Sequence, residues 1–78
     1  MPIPKEANPT EVTSSNIKTI GYVKKSSTLY VEFKDGNIYR YTGVPETKHN
    51  ALLAAGSVGK FFFAEVRSKY PYEKVGND

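Results

Sequence analysis

The sequence predicts an α+β domain: a three-stranded antiparallel β-meander followed by two α-helices that pack on one face of the sheet. Two patterns carry this prediction. Apolar and polar residues alternate along residues 29–41, on both sides of an Asp-Gly turn, which is the period-two signature of half-buried strands. Further along the chain, Phe62, Val66 and Tyr70 recur every four residues, which is typical of the apolar stripe of an amphipathic helix.

The turn between the second and third strands decides which residues face the core. A two-residue loop over residues 35–36 would place Tyr39 and Tyr41 on the polar face. A three-residue loop over residues 34–36, a type I turn closed by a left-handed glycine, would pair Leu29 with Tyr41. We prefer the three-residue loop, because it gathers the apolar residues on one face and burial specifies register strongly. The opposite, solvated face then carries Thr28, Tyr30, Glu32, Ile38, Arg40 and Thr42.

The segments before the meander set the domain boundaries. Three prolines interrupt residues 1–13, which we expect to form an extended, poorly ordered arm. The first strand covers residues 17–23, and Gly21 within it marks either a bulge or the close approach of another segment. A single domain is predicted over residues 14–75. Residues 72–78 are predicted to be a short polar tail, of which residues 76–78 are expected to be flexible.

Two helices are predicted after the meander. The first covers residues 45–55, starts with a proline whose missing amide costs nothing in the first turn, and is capped by Gly56. The second covers about residues 58–70. The Ser57 side chain can cap its start, and Pro71 stops it.

Composition limits the function classes. The chain has 78 residues and a net charge of +3, and the predicted domain carries ten basic and five acidic residues, which favours anionic partners mildly. Cysteine is absent, which excludes disulfides and thiolate metal sites. The N-terminus lacks the apolar core of a secretory signal, and no run approaches the roughly 18 apolar residues of a membrane span. We therefore expect a monomeric, cytoplasmic protein with no membrane partner.

Short motifs follow one another in a fixed order along residues 14–75: Ser15-Asn16-Ile17, Tyr39-x-Tyr41, Val44-Pro45, Ser57-x-Gly59, Val66-Arg67 and Tyr70-Pro71-Tyr72. This ordered set resembles the KTSC domain, which is named for the C-terminus of some lysyl-tRNA synthetases and also occurs alone in small bacterial and phage proteins. The resemblance implies a mainly structural role for Tyr39, Tyr41, Ser57, Gly59, Tyr70 and Pro71.

The resemblance implies no settled biochemical function. RNA binding is suggested for the family, largely through its association with a tRNA synthetase, which is an argument by analogy. Family members tend to carry asparagine where this chain has Phe63, so a polar site shared at that position is not implied here.

Several side chains are candidates for nucleic-acid contacts. Tyr39 and Tyr41 invite a base-stacking interpretation, but the preferred register places both in the core. The outer sheet face is the better candidate, because Tyr30 offers a ring among cations that can contact phosphates. The start of the second helix, residues 57–59 near Arg67, could present amides to an anion, although a plain capped helix is favoured. The predicted contacts are Lys18, Tyr30, Lys34, Arg40, Lys60 and Arg67.

The leading expectation is a small non-enzymatic module that binds RNA or another nucleic acid. The alternative is a protein–protein interaction domain or a phage-derived accessory domain, indicated by Ile38 on the outer face and by whichever of Phe61 and Phe63 is exposed. No cofactor or metal is expected, because His49 is the single histidine and no paired carboxylates suggest acid–base catalysis.

Overall fold

The computed structural model describes residues 3–77. It confirms the α+β class with a larger sheet than predicted: five antiparallel strands in the order β1-β2-β3-β4-β5, with both helices inserted between β4 and β5. The strands are β1 (Thr10–Glu11), β2 (Ile17–Val23), β3 (Thr28–Phe33), β4 (Asn37–Tyr41) and β5 (Tyr72–Asn77). The helices are α1 (Glu46–Ala54) and α2 (Val58–Phe62), and α2 runs on into a π-helical turn, Phe63–Arg67.

The β3–β4 hairpin has the predicted register. Leu29 lies opposite Tyr41 and Val31 lies opposite Tyr39, so the three-residue loop is confirmed. The backbone of Gly36 has a φ of 95°, the left-handed conformation that closes this loop, and its amide donates to the Phe33 carbonyl oxygen at 3.0 Å. The apolar side chains of the hairpin therefore share the inner face, beneath the helices.

The second helix covers this inner face with its predicted stripe. Val58, Phe62 and Val66 are buried in the main core, and Tyr70 packs against it. The Ser57 side chain caps α2 by accepting from the Lys60 amide. The regular α-helix is shorter than predicted, because the backbone changes to π-helical geometry after five residues. The π-helical turn ends at Arg67, before Tyr70, the last residue of the stripe.

The first helix agrees with its prediction at the start and differs at the end. It begins directly after Pro45 and runs through Ala54. The predicted cap, Gly56, does not take the left-handed conformation; the chain leaves the helix through Ala55 in an extended conformation instead. Since Ala55 reaches that conformation without strain, no glycine is needed to end the helix.

The two edge strands are absent from the sequence-based prediction. β5 falls in a segment predicted to be a polar tail, and it is held by pairing with β4, in which Tyr72 lies opposite Tyr41 and Glu73 opposite Arg40. β1 is two residues long and pairs with β2. Neither segment has an alternation long enough to reveal a strand, so long-range pairing decides both.

The N-terminal segment differs most from its prediction as a disordered arm. Residues 5–7 form a 3₁₀ turn, and the side chains of Ile3 and Ala7 are only 2% exposed, because they pack on Ile38 on the outer sheet face. A Cβ atom on Gly21 would lie 2.9 Å from the Ala7 Cβ, so Gly21 permits a close approach. The outer face is thus covered rather than solvated. Residues 1 and 2 of the predicted arm and residue 78 of the predicted tail lie outside the described residues.

Within residues 3–77, no helix has the length and apolar character that crossing a bilayer requires.

Candidate nucleic-acid interface

The outer-face site predicted from the sequence is only partly available. Tyr30 and Arg40 lie opposite each other on β3 and β4, as expected. The Tyr30 ring, however, packs against the cluster of Ile3 and Ala7, and the Arg40 guanidinium forms an ion pair with Glu73 of β5. The first partner comes from the segment predicted to be a disordered arm and the second from the segment predicted to be a short polar tail, so the sequence could not reveal this coverage.

A connected groove runs around the β3–β4 turn, between that turn, the loop before β2 and the second helix. Its hollows share Phe63 or Asp35 in their walls, and two of them measure about 570 and 380 Å³. We call it the hairpin groove and define it by its chemically relevant lining residues: Ser14, Asn16, Lys18, Phe33, Lys34, Asp35, Tyr39, Tyr41, Ser57, Gly59, Lys60, Phe63, Arg67 and Tyr72.

The hairpin groove gathers four of the predicted phosphate-contacting cations: Lys18, Lys34, Lys60 and Arg67. All four are exposed, and none forms an ion pair with another residue of the range 3–77. The ion pairs seen in that range lie elsewhere: Lys24–Glu46, Arg40–Glu73, Lys48–Glu65 and Lys69–Glu65.

Pairing changes the electrostatics outside the groove. Hydrogen bonds from Lys69 and then Lys48 hold the pKa of Glu65 below its usual value, so this carboxylate remains charged beside two lysines. This single carboxylate is a fixed partner for both lysines and offsets one of their two positive charges. The four groove cations form no ion pair within residues 3–77, and because they lie close together they can attract an external anion.

Two aromatic rings stand exposed in the same groove. Phe63 is 40% exposed and Tyr72 is 53% exposed, whereas Phe61 is half-buried against the core. The guanidinium carbon of Arg67 lies 5.3 Å from the centroid of the Phe63 ring, a cation–π distance. Phe63 is the first residue of the π-helical turn and lies off the buried stripe, which settles which phenylalanine is exposed.

The tyrosine pair of the hairpin is divided between core and groove. Tyr41 is buried, with its ring 5.3 Å from the Phe62 ring, while Tyr39 is half-buried and packs edge-on against Phe33 and Tyr72. Burial raises the pKa of Tyr41 to about 12, and the charge of Arg67 opposes that rise. Its hydroxyl is therefore protonated at neutral pH and stands close enough to Arg67 for the two to interact.

The Ser57–Gly59 segment has a structural task. A Cβ atom on Gly59 would come within 3.2 Å of the Ser14 hydroxyl, so glycine allows the loop before β2 to approach α2 closely. That hydroxyl accepts hydrogen bonds from the amides of Asn16 and Ile17 and fixes the loop. These contacts shape one wall of the 570 Å³ hollow.

The remaining family-motif residues also hold the fold together. Tyr70 packs on the core, and the Pro71 carbonyl oxygen accepts from the Thr42 amide at 3.1 Å, which ties the end of the helical segment to the end of β4.

His49 lies outside the hairpin groove. Its ring stacks on Tyr22 at 4.8 Å with an angle of 10° between the planes, and it is half-buried rather than a fully exposed surface histidine. Burial lowers its pKa, and the nearby charge of Glu46 partly opposes that change. Within residues 3–77, no group of three or more His, Cys, Asp and Glu side chains is arranged to hold a metal ion.

Three groove residues that offer a charge or an exposed ring to a ligand were not among the predicted contacts: Asp35, Phe63 and Tyr72. Asp35 carried only a turn signal, and Tyr72 lay in the segment predicted as a tail. Phe63 carried a weak signal, since it does not fit the apolar stripe of the second helix.

Comparison with known proteins places this geometry in a family. The KTSC domain model matches residues 13–70. A crystal structure of a KTSC domain protein from Yersinia pestis is similar at a TM-score of 0.84 and 35% identity, over 87% of this chain and 96% of that one.

Two curated relatives extend the comparison. An uncharacterized protein of Stutzerimonas stutzeri is 43% identical over 49 residues, which cover 63% of this chain and 69% of that protein. A lysine–tRNA ligase of Trichormus variabilis is 36% identical over 61 residues, which cover 78% of this chain and 11% of the ligase. The chain thus corresponds to a small part of that ligase, and it belongs to the KTSC domain family.

Proposed function

We propose that this domain is a small non-enzymatic module that binds single-stranded RNA through the hairpin groove. The observation that carries the proposal is the combination in one groove of unpaired cations with two exposed aromatic rings. Proteins that bind single strands combine these two elements, because cations follow the phosphates while rings stack on unpaired bases.

Each element has a defined task in this mechanism. Lys18 and Lys34 neutralise phosphates at the hairpin turn, and Lys60 and Arg67 do so at the helical side of the groove. The rings of Phe63 and Tyr72 take unstacked bases between these positions. A duplex keeps its bases paired and stacked, so it cannot use the rings, and we expect it to bind more weakly.

The relatives support RNA over other polyanions. One protein that contains a similar segment is a lysine–tRNA ligase, which by its name acts on a tRNA. The similar segment is thus part of an enzyme that handles RNA, and a positively charged groove is suited to such a ligand.

The proposal is tested by titrating a fluorescein-labelled ten-nucleotide RNA with the protein and following anisotropy over a series of salt concentrations. Neutralising four phosphates gives a slope of log K against log salt of about −2.8. The double variant Lys60→Gln/Arg67→Gln should reduce that slope to about −1.4. Lys25 is an exposed cation in the β2–β3 turn, outside the groove, so Lys25→Gln should change the slope much less. A slope near zero for the unaltered protein overturns the proposal.

The stacking component is tested separately. Phe63→Ala should weaken binding about tenfold, because stacking on an aromatic side chain contributes about 1–3 kcal/mol per base. Leu53→Ala removes a similarly exposed apolar side chain from α1, outside the groove, and is the matched control. Equal affinity of these two variants would contradict a stacking role for Phe63.

The alternative function, a protein–protein interaction domain, was indicated by two apolar side chains, and one of them is buried. Ile38 is only 2% exposed beneath the N-terminal segment and offers no surface to a partner. The exposed Phe63 remains, but it lies among unpaired cations, which favours an anionic ligand.

A further inference from the structure

One hollow of the hairpin groove has the size and composition of a site for a single nucleotide. It measures about 380 Å³, and aromatic rings from β3, β4, the π-helical turn and β5 form most of its wall. The rings contact one another edge-on, at 5.5 Å between Phe33 and Tyr39 and 5.7 Å between Tyr39 and Tyr72. Such walls suit a flat aromatic ligand, since every base offers a π-face.

This hollow contains charges of both signs. Among the described residues that line it, Asp35 is the one acidic side chain and Arg67 the one basic side chain. A simple polyanion would be repelled by Asp35, and a simple cation by Arg67. A nucleotide matches both charges, since its phosphate is an anion and the edge of its base can donate hydrogen bonds.

The Asp35 carboxylate is fixed in position. Its Oδ1 accepts from the Asn37 amide at 2.9 Å, and its Oδ2 accepts from the Asn37 side-chain Nδ2 at 3.1 Å. Each carboxylate oxygen can accept a further hydrogen bond. The side chain is therefore an oriented double acceptor, held by the turn in the wall of the hollow.

The bases differ in how well they meet such an acceptor. Guanine presents two adjacent N–H donors, N1–H and the N2 amino group, which can bond both oxygens of one carboxylate. Uracil presents one N–H between two carbonyl oxygens, and those oxygens repel a carboxylate. Adenine and cytosine each present an amino group beside an acceptor nitrogen, so they make one favourable bond at most.

We infer that the hollow around Asp35 and Arg67 is a base-selective subsite that prefers guanine, with Asp35 reading the base and Arg67 contacting a neighbouring phosphate. This inference rests on the proposed RNA-binding function and adds a specificity to it. Phe63 and Tyr72 contribute the stacking surface, and Asp35 becomes the residue that determines specificity.

The test compares labelled five-nucleotide RNAs that differ only in the central base within a run of uridines. The oligonucleotide with central guanine should bind about tenfold more tightly than the all-uridine one. Asp35→Asn should abolish this preference, because the amide replaces one acceptor by a donor. It should leave all-uridine binding equal or slightly tighter, since a negative charge is lost.

The controls separate the two proposals. Asparagine still accepts from the residue 37 amide, so the turn should persist, and amide NMR spectra check the fold. Glu11→Gln, an exposed carboxylate on β1, removes the same charge and should keep the guanine preference. Binding without base preference, or a preference that survives Asp35→Asn, overturns the subsite and leaves the RNA-binding proposal standing. No binding of any oligonucleotide at low salt overturns both.

Discussion

The two faces of the sheet are covered in different ways, and only one cover was visible in the sequence. The inner face is covered by the helical segment 58–67, which carries a four-residue apolar repeat and is anchored by Phe62. The outer face is covered by residues 3–7, a proline-interrupted segment with no repeat, through Ile3 and Ala7. A short segment can thus bury a sheet face without any periodic pattern, because two well-placed apolar side chains are enough.

The difference also explains where the candidate interface lies. Since the N-terminal segment covers Tyr30 and β5 pairs with Arg40, the middle of the outer face is occupied. Four of the cations that form no ion pair within residues 3–77 lie around the β3–β4 turn, at the boundary between the sheet and the helical segment. We therefore expect changes to the buried side chains of either cover, such as Phe62 or Ile3, to affect stability more than RNA binding.

The largest effect is expected in the inner cover. Phe62→Ala should lower the free energy of unfolding by about 3–5 kcal/mol, because it opens a cavity beneath a fully buried ring. The adjacent Phe63→Ala should change it by less than about 0.5 kcal/mol, since that ring is exposed. Urea denaturation followed by circular dichroism measures both. Equal losses would show that the two phenylalanines do not differ in burial.

A smaller effect is expected in the outer cover. Deleting residues 1–9 should lower the free energy of unfolding by about 2 kcal/mol, because Ile3 and Ala7 no longer shield Ile38. The remaining chain should still fold, with the inner core intact, and its affinity for RNA should change little. An unchanged unfolding midpoint would contradict the burial of these side chains, and Ile3→Ala should reproduce part of the loss.

The contact between the N-terminal segment and the sheet is tested more finely at Gly21. Gly21→Ala should lower the free energy of unfolding of the full chain by about 1–2 kcal/mol, because the new Cβ would lie 2.9 Å from the Ala7 Cβ. In the chain without residues 1–9 the same change should cost nothing, so the two effects should be non-additive. Gly56→Ala, with no atom within 4 Å of the new Cβ, is the control. Equal losses of unfolding free energy in the full and the shortened chain would show that the new Cβ does not clash with residues 1–9.

The smallest effect concerns His49 beside the inner face. Its pKa should lie below the ordinary 6.5, because burial against Tyr22 disfavours the charged ring. The unfolded chain then binds the proton more readily than the folded one. The contribution of neutral His49 to the free energy of unfolding is therefore fully present above about pH 6.5, and it is lost as the pH falls through the folded-state pKa. NMR titration of the imidazole measures the pKa, and a value above 6.5 would contradict the prediction. His49→Gln should remove this part of the pH dependence.

Local signals were sufficient for part of the candidate site. Lys34, Lys60 and Arg67 were identified from charge and from their expected positions on the hairpin and the second helix, and the structure places them in one groove with Lys18. The sequence offered Tyr30 as the stacking ring, because it assumed an uncovered outer face. It could not identify Asp35 or Tyr72 as groove residues, since each enters the groove only through strand pairing and helix packing.

By itself the sequence determined the hairpin register, the buried stripe of the second helix and its Ser57 cap, because each depends on residues that are close together in the chain. Alternation places side chains on one face of a strand, and a four-residue repeat places them on one face of a helix. Only the tertiary structure decided that β5 pairs with β4, that residues 3–7 cover the outer face, and that the unpaired cations meet Phe63 and Tyr72. These features depend on contacts between segments far apart in sequence. Burial of apolar surface and strand pairing stabilise such contacts, and neither can be predicted from a local sequence pattern.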